Sequence, residues 1–244
     1  LERLAVWLFR YAPIVAPDPP DGLIIDSTGA DHLHGGEAVM LDGLIGRLAM
    51  SGITARAAIA DTWGAAHALA RFSAQPTVIA PKGHDPSVLE RLPLEALRVP
   101  APVITTLRTL GFRTVGDLLA QPRAPLTLRF GPELGRRLDQ ALGIAAELIE
   151  PVRPADLIEV RRAFAEPIGA AETIARYIGK LVVQLYERLE EGGLGARRLD
   201  LICHRVDSRA QAVRVGMATP VRDAKRLTRL LCDKIETISP GFGI

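Results

Sequence analysis

At 244 residues, with 48% hydrophobic and 24% charged side chains, the chain can build one large packed domain or two to three small ones. Two cysteines, Cys203 and Cys232, exclude a disulfide scaffold and fit buried thiols in a reducing compartment; no uncharged apolar run approaches the ~20 residues that span a bilayer. The net charge of +2 is uneven: residues 1–90 carry 6 Lys+Arg against 10 Asp+Glu, residues 91–155 carry 9 against 6, and residues 156–244 carry 15 against 12, so the later parts favour a polyanionic partner.

Residues 1–10 have the spacing of the end of an amphipathic helix. Residues 12–16 and 22–28 read as two strands joined by a turn rich in proline, an antiparallel pair. Asp21 and Asp26 bracket the apolar core of the second strand, Leu23-Ile24-Ile25. Gly36 to Met50 returns to helical spacing; Thr54 to Ala60 is strand-like, and Trp63 to Phe72 is an alanine-rich helix. Strand, helix, strand, helix on one sheet gives an α+β or α/β layer. A short strand, Thr77 to Ala80, lies in the turn-rich linker that follows.

From Leu89 the texture changes to short helices: Val103 to Leu110, Val115 to Ala120, Leu126 to Phe130 and Glu133 to Leu142. They read as a compact all-helical unit whose exit Pro151 and Pro154 mark. Residues 156–164 resume as a strand. Ala170 to Glu191 is the longest helix, with Ile174, Tyr177, Ile178, Leu181, Val182, Leu185 and Leu189 on one face, closed by Gly192-Gly193. Leu199 to Val206 and Ala210 to Ala218 alternate as a hairpin, and Pro220 to Thr237 is a second amphipathic helix. The order β-α-β-β-α calls for one more strand. Residue 1 lies inside a helical pattern and the chain stops at Gly-Phe-Gly-Ile, so the sequence reads as an internal piece of a longer protein.

Several short stretches, in this order, carry a resemblance. They are Tyr11-Ala-Pro-Ile-Val-Ala16, Gly52-Ile-Thr-Ala55 leading into Ala58-Ile-Ala60, Leu110-Gly-Phe-Arg-Thr-Val-Gly-Asp-Leu118 and Arg129-Phe-Gly-Pro-Glu-Leu-Gly-Arg136. With them the chain resembles the Y-family translesion DNA polymerases, lacking their first palm segment and fingers. Asp26-Ser-Thr-Gly29, Leu33-His-Gly-Gly-Glu37 and Ala60-Asp-Thr-Trp-Gly-Ala-Ala66 look most like the ImuB-type branch. The resemblance implies an α+β multidomain protein. Residues 1–88 would form a partial palm-like domain with a sheet and helices, residues 89–153 a small helical thumb with a degenerate helix-hairpin-helix, and residues 154–244 a truncated little-finger-like module.

It also implies sites. Nucleotidyl transfer in this family rests on carboxylates that hold two metal ions. Asp21 falls on a metal-ligand aspartate and Gly22 on its neighbouring glutamate, so one carboxylate is missing. The remaining family acid falls upstream of residue 1. Two lysines of the nucleotide side fall on Trp63, in Thr62-Trp63, and on Gln75, before Pro76. The Gly-x-Gly turn that aims N–H groups at a DNA phosphate falls on Arg98-Val99-Pro100, and Arg98 offers a side-chain charge instead. The little-finger match makes Arg161, Arg162, Arg197, Arg198, Arg205, Arg209 and Arg214 candidate phosphate contacts. Arg198 and His204 share a strand face, opposite apolar Leu199, Leu201 and Cys203. Asp26 reads as a cap of the Ser27–Gly29 turn, and His32 and His34 as a solvated loop pair rather than metal ligands.

Three functions stay open at this point. One is a noncatalytic DNA-binding adaptor in DNA repair and damage-induced mutagenesis, needing no cofactor. By resemblance it is cytoplasmic and nucleoid-associated, meeting damaged or primer–template DNA, the sliding clamp, an ImuA-type protein and an error-prone replicative-type polymerase. Another is an active, error-prone polymerase using Asp21 with Mg2+ or Mn2+. The third is an α+β interaction protein with no nucleic-acid partner.

Overall fold

Residues 1–83, 85–154 and 157–244 are described by the computed structural model of the chain. Helix α1 (Glu2–Leu8) leads into strands β1 (Ile14–Asp18) and β2 (Gly22–Asp26). Helix α2 (Glu37–Met50), strand β3 (Ala57–Ile59), helix α3 (Trp63–Phe72) and strand β4 (Thr77–Ile79) follow. Five short helices come next: α4 (Ser87–Glu90), α5 (Ala101–Thr109), α6 (Val115–Leu119), α7 (Arg123–Phe130) and α8 (Pro132–Ala141). Helix α9 (Ala171–Glu191), strands β5 (Ala196–His204) and β6 (Ala210–Val221) and helix α10 (Ala224–Cys232) complete the order.

The fold is α+β. Each sheet among the described residues is a ladder of two strands: β1–β2 and β5–β6 are antiparallel, and β3–β4 is parallel. The expectation of one sheet carrying the first strands is therefore corrected. The three-residue strands β3 and β4 pair with each other across the α3 connection, while β1 closes on β2 through the tight Pro19-Pro20-Asp21 turn. By packing, the chain forms two compact units, one of Leu1–His34 with Leu148–Ile244 and one of Gly35–Glu147.

In the Gly35–Glu147 unit, alanines on α3 and leucines of the short helices share one core: Ala65, Ala68, Leu94, Leu107, Leu118, Leu134 and Leu138 are buried together. Small residues let α3 and α8 approach closely, since a Cβ on Gly64 would fall 2.8 Å from the Cα of Ala141. Thr62 begins α3. Its hydroxyl accepts the Ala65 N–H at 3.0 Å and donates to the Ala141 carbonyl at 2.9 Å. Thr114 and Asp117 form a reciprocal capping box at the start of α6.

In the other unit, the α9 stripe Ile174, Ile178, Val182, Leu185 and Leu189 packs on Leu199, Val215, Val221, Leu227 and Leu231. Two expectations change here. Asp156 lies outside the described residues, and residues 157–164 pair with no strand among them. Ile158 and Val160 turn into the α9 core, and the Glu159 carbonyl accepts from Arg188 at 2.5 Å. The alternation marks a strap buried on one side rather than a ladder. The last helix starts at Ala224, not at Pro220, because β6 runs on to Val221, paired with Ala196 across a register shift. Asp223 then caps the helix by accepting the Arg226 N–H. No helix among the described residues is long and apolar enough to cross a membrane.

Candidate nucleic-acid interface

Asp21 sits at the exposed tip of the β1–β2 hairpin, one residue beyond the strands, because Asp18 pairs with Gly22 and leaves Pro19-Pro20-Asp21 to make the turn. Hard cations such as Mg2+ need several convergent oxygen ligands. Gly22 supplies none beside Asp21, and among the described residues no three His, Cys, Asp or Glu side chains converge on a point that could hold a metal ion. Asp26 accepts the Thr28 N–H at 3.0 Å and so caps the turn after β2. His34 bonds through Nε2 to the Tyr11 carbonyl at 3.2 Å with its ring 5.1 Å from the Tyr11 ring, while His32 is exposed.

The hairpin turn at Arg98 keeps a glycine-like backbone without a glycine. Arg98 adopts φ 55 and ψ 33, the left-handed region, at the end of a 3-10 turn over Leu94–Leu97, and Pro100 starts α5. Its side chain explains how a non-glycine residue is held there. The guanidinium donates to Glu147 at 2.7 Å and lies 4.9 Å over the Trp63 ring. Glu147 also accepts from Arg137 at 2.9 Å, and Arg137 in turn bonds Glu133 at 3.0 Å and Gln140 at 3.3 Å. Arg98 and Glu147 side chains are only 15% and 9% exposed. The Arg98 guanidinium, expected as a phosphate contact, is held in an internal ion-pair network. The neighbouring arginines, Arg136 first, hold the Glu133 carboxyl below its ordinary range.

That network joins positions which the sequence presents as separate losses. Trp63, where the resemblance expects a lysine, lies under Arg98, where it expects the Gly-x-Gly turn. Gln75, at the second lysine position, offers its carbonyl to Arg56 at 2.8 Å, beside the end of α3. No sequence signal links Arg98 to Glu147, 49 residues away.

The β5–β6 hairpin sorts its arginines into two groups. Leu199, Leu201 and Cys203 face the helices as the strand parity predicts, and burial pushes the Cys203 thiol up to about 11. On the opposite face Arg214 is 3% exposed. It grips both oxygens of Asp200, at 2.6 and 2.8 Å, and donates to the Phe9 carbonyl at 2.7 Å. Arg198 donates to the same carbonyl at 3.0 Å. Phe9 ends α1, whose C-terminal carbonyls favour cations. Gly29 presses on the same face: a Cβ there would lie 2.4 Å from the Ala212 carbonyl oxygen. So this face is covered at its middle by the N-terminal segment, and the Arg214 guanidinium is engaged by Asp200 and the Phe9 carbonyl.

Arg205 is likewise engaged, bonding Asp207 at 2.6 Å and the Ser239 carbonyl at 3.1 Å. Arg161, Arg162, Arg197 and Arg209 keep exposed side chains. Of these Arg197 donates to the Ala218 carbonyl at 3.0 Å and Arg209 lies 3.9 Å from Asp207. Burial, then the positive charges of Arg161 and Arg153, hold His204 below the usual imidazole range, with Glu159 opposing them.

Residues 158–243, which span the strap, α9, the β5–β6 hairpin and α10, match the model of the impB/mucB/samB family C-terminal domain. Over all 244 residues the chain is 49% identical to Protein ImuB of Caulobacter vibrioides (strain NA1000 / CB15N), covering 53% of that protein. It is thus ImuB-like along its whole length. DNA polymerase IV of Caulobacter vibrioides (strain ATCC 19089 / CIP 103742 / CB 15) is 25% identical over 237 residues, which make up 93% of this chain and 57% of that protein. Among solved structures, DinB from Sulfolobus solfataricus aligns with 96% of this chain and 69% of its own at 14% identity and a TM-score of 0.49. The chain spans about half the length of the curated relatives it matches.

Proposed function

We propose that this chain is the DNA-holding part of a Y-family-like protein that serves damage-induced mutagenesis as an adaptor rather than as a polymerase. The observation that carries this reading is the Arg98–Trp63 contact, in which two departures from the pattern of catalytic relatives stack on each other. In this reading a lysine reaching for a triphosphate and a glycine turn reaching for a phosphate are replaced by an internal cation–ring contact. Gly22 beside the turn residue Asp21 points the same way. The similarity to ImuB supports a role in DNA repair and translesion synthesis.

In this reading residues 1–88 keep a palm-like part, residues 89–153 a thumb-like part and residues 154–244 the little-finger-like part. Primer–template or damaged DNA is met by Arg161, Arg162, Arg197 and Arg209, while Arg98, Arg205 and Arg214 hold the scaffold and Arg198 ties the hairpin to Phe9. The sliding clamp, an ImuA-type protein and an error-prone replicative-type polymerase are its partners, in the cytoplasm at the nucleoid. Neither Mg2+ nor Mn2+ is required.

Primer extension by the full-length protein, with either metal, tests the reading. The expected result is salt-sensitive binding to primer–template DNA with no template-dependent incorporation. Incorporation that Asp21→Ala abolishes would establish a polymerase instead, and an absence of salt-sensitive binding would remove DNA from the function altogether.

A further inference from the structure

A second cluster of cations lies on the helix side of the Leu1–His34/Leu148–Ile244 unit. Tyr177, half-buried on α9, meets the Phe164 ring of the strap edge-on, with centroids 4.7 Å apart and planes at 71°. Three cations surround the Tyr177 ring: Lys180 Nζ at 5.1 Å, Arg176 at 5.4 Å and Arg162 at 5.8 Å. All three side chains are exposed, and among the described residues none lies within ion-pair distance of a carboxylate. Arg161, the neighbour of Arg162, adds its charge toward His204 together with Arg153.

Three like charges gathered round one ring repel one another, and a cation resting on an exposed aromatic face offsets little of that. An anionic ligand would neutralise them. The paired rings narrow the choice of anion: an acidic peptide supplies charge but nothing flat to lie against Phe164 and Tyr177. A duplex supplies phosphates but hides the faces of its bases in the stack. A single strand presents both together, phosphates for guanidinium and ammonium groups and base faces for aromatic rings.

We propose that Phe164, Tyr177, Arg162, Arg176 and Lys180 form a binding site for single-stranded nucleic acid. Bases lie against the Tyr177–Phe164 pair and the backbone runs past the three cations. The α9 side of this unit carries the site, while the duplex contacts proposed above include Arg197 and Arg209 on the β5–β6 hairpin. The two sites share Arg162, so the aromatic pair separates them.

The test compares binding of the full-length protein to a labelled oligothymidylate of about 15 nucleotides, within the range held by known single-strand folds, and to a duplex of the same length. Tyr177→Ala is expected to weaken single-strand binding roughly tenfold, the loss of one stacked base, and to leave duplex binding unchanged. Tyr177→Phe should bind as the parent does. Combined Arg162→Ala, Arg176→Ala and Lys180→Ala should lower the log–log salt slope for the single strand by about 2, at ~0.7 per phosphate. A bromouracil-substituted oligomer should crosslink to the peptide containing Tyr177 or to that containing Phe164. The triple variant changes only exposed side chains, so even if Tyr177→Ala impairs folding it decides the matter, by a fall in the single-strand slope larger than the roughly 0.9 that the shared Arg162 gives the duplex. Unchanged single-strand affinity in both variants would overturn the proposal. Equal weakening toward duplex and single strand would do the same, as would competition by polyglutamate as strong as by oligothymidylate. Loss of duplex binding in the parent, with single-strand binding intact, would strike the proposed function and leave this site standing.

Discussion

Arg98 concentrates the difference between reading a residue type and seeing its surroundings. By type it is a cation in a turn that relatives give to glycine, and a phosphate contact is the natural expectation. In place, its backbone accepts the left-handed conformation and its charge is spent on Glu147. Arg98→Ala should therefore destabilise the protein by about 1.5–3 kcal/mol, the worth of a hydrogen bond to a charged group, because Arg137 still pairs with Glu147. Urea denaturation measures this directly, and DNA affinity and its salt slope should stay as in the parent. A slope that falls by about 0.9 would return Arg98 to the phosphate contacts. The sequence reveals that the glycine is missing. It does not reveal the replacement, because Trp63 and Glu147 come from remote positions with no shared periodicity. Asp26, whose partner lies two residues away, is readable in advance.

Among elements, legibility follows how local the determining contacts are. The α9 stripe declares its helix because its spacing keeps one face apolar over 21 residues. The strap at residues 157–164 has the alternation of a strand and yet joins no ladder, since alternation records one-sided burial and is silent on hydrogen-bond partners. The start of α10 is equally hidden: Pro220 suits a first helical turn, but β6 extends through it to reach Ala196. Packing between α3 and α8 provides a test at this scale. Gly64 stands 2.8 Å, measured from an added Cβ, from the Ala141 backbone, which cannot swing aside as a flexible side chain would. Gly64→Ala should destabilise the protein by about 1–3 kcal/mol, as overpacking does, despite alanine's better helix propensity. A thermal or urea melt that shows stabilisation would mean that α8 shifts away at little cost.

For the whole chain, the order of segments suggests consecutive domains, whereas the compact units interleave: residues 1–34 pack with residues 148–244. The bonds responsible are Arg198 and Arg214 to the Phe9 carbonyl, 189 and 205 residues apart in sequence, beyond anything a local pattern encodes. This arrangement divides the arginines by task, and the division can be measured. Arg214→Lys keeps the charge but breaks the fork onto Asp200. The expected loss is roughly 1.5–3 kcal/mol of stability, the worth of charge-assisted hydrogen bonds, with the salt slope of DNA binding unaltered. Arg161→Ala with Arg197→Ala, both exposed, should leave the melting curve in place and lower the duplex slope by about 2, at ~0.9 per phosphate. If the two outcomes are exchanged, so that Arg214→Lys flattens the slope while the exposed pair does nothing, then the β5–β6 face must part from Phe9 and Gly29 to meet DNA. The N-terminal segment would in that case compete with DNA for the hairpin, and the same Arg214→Lys variant would distinguish cover from scaffold.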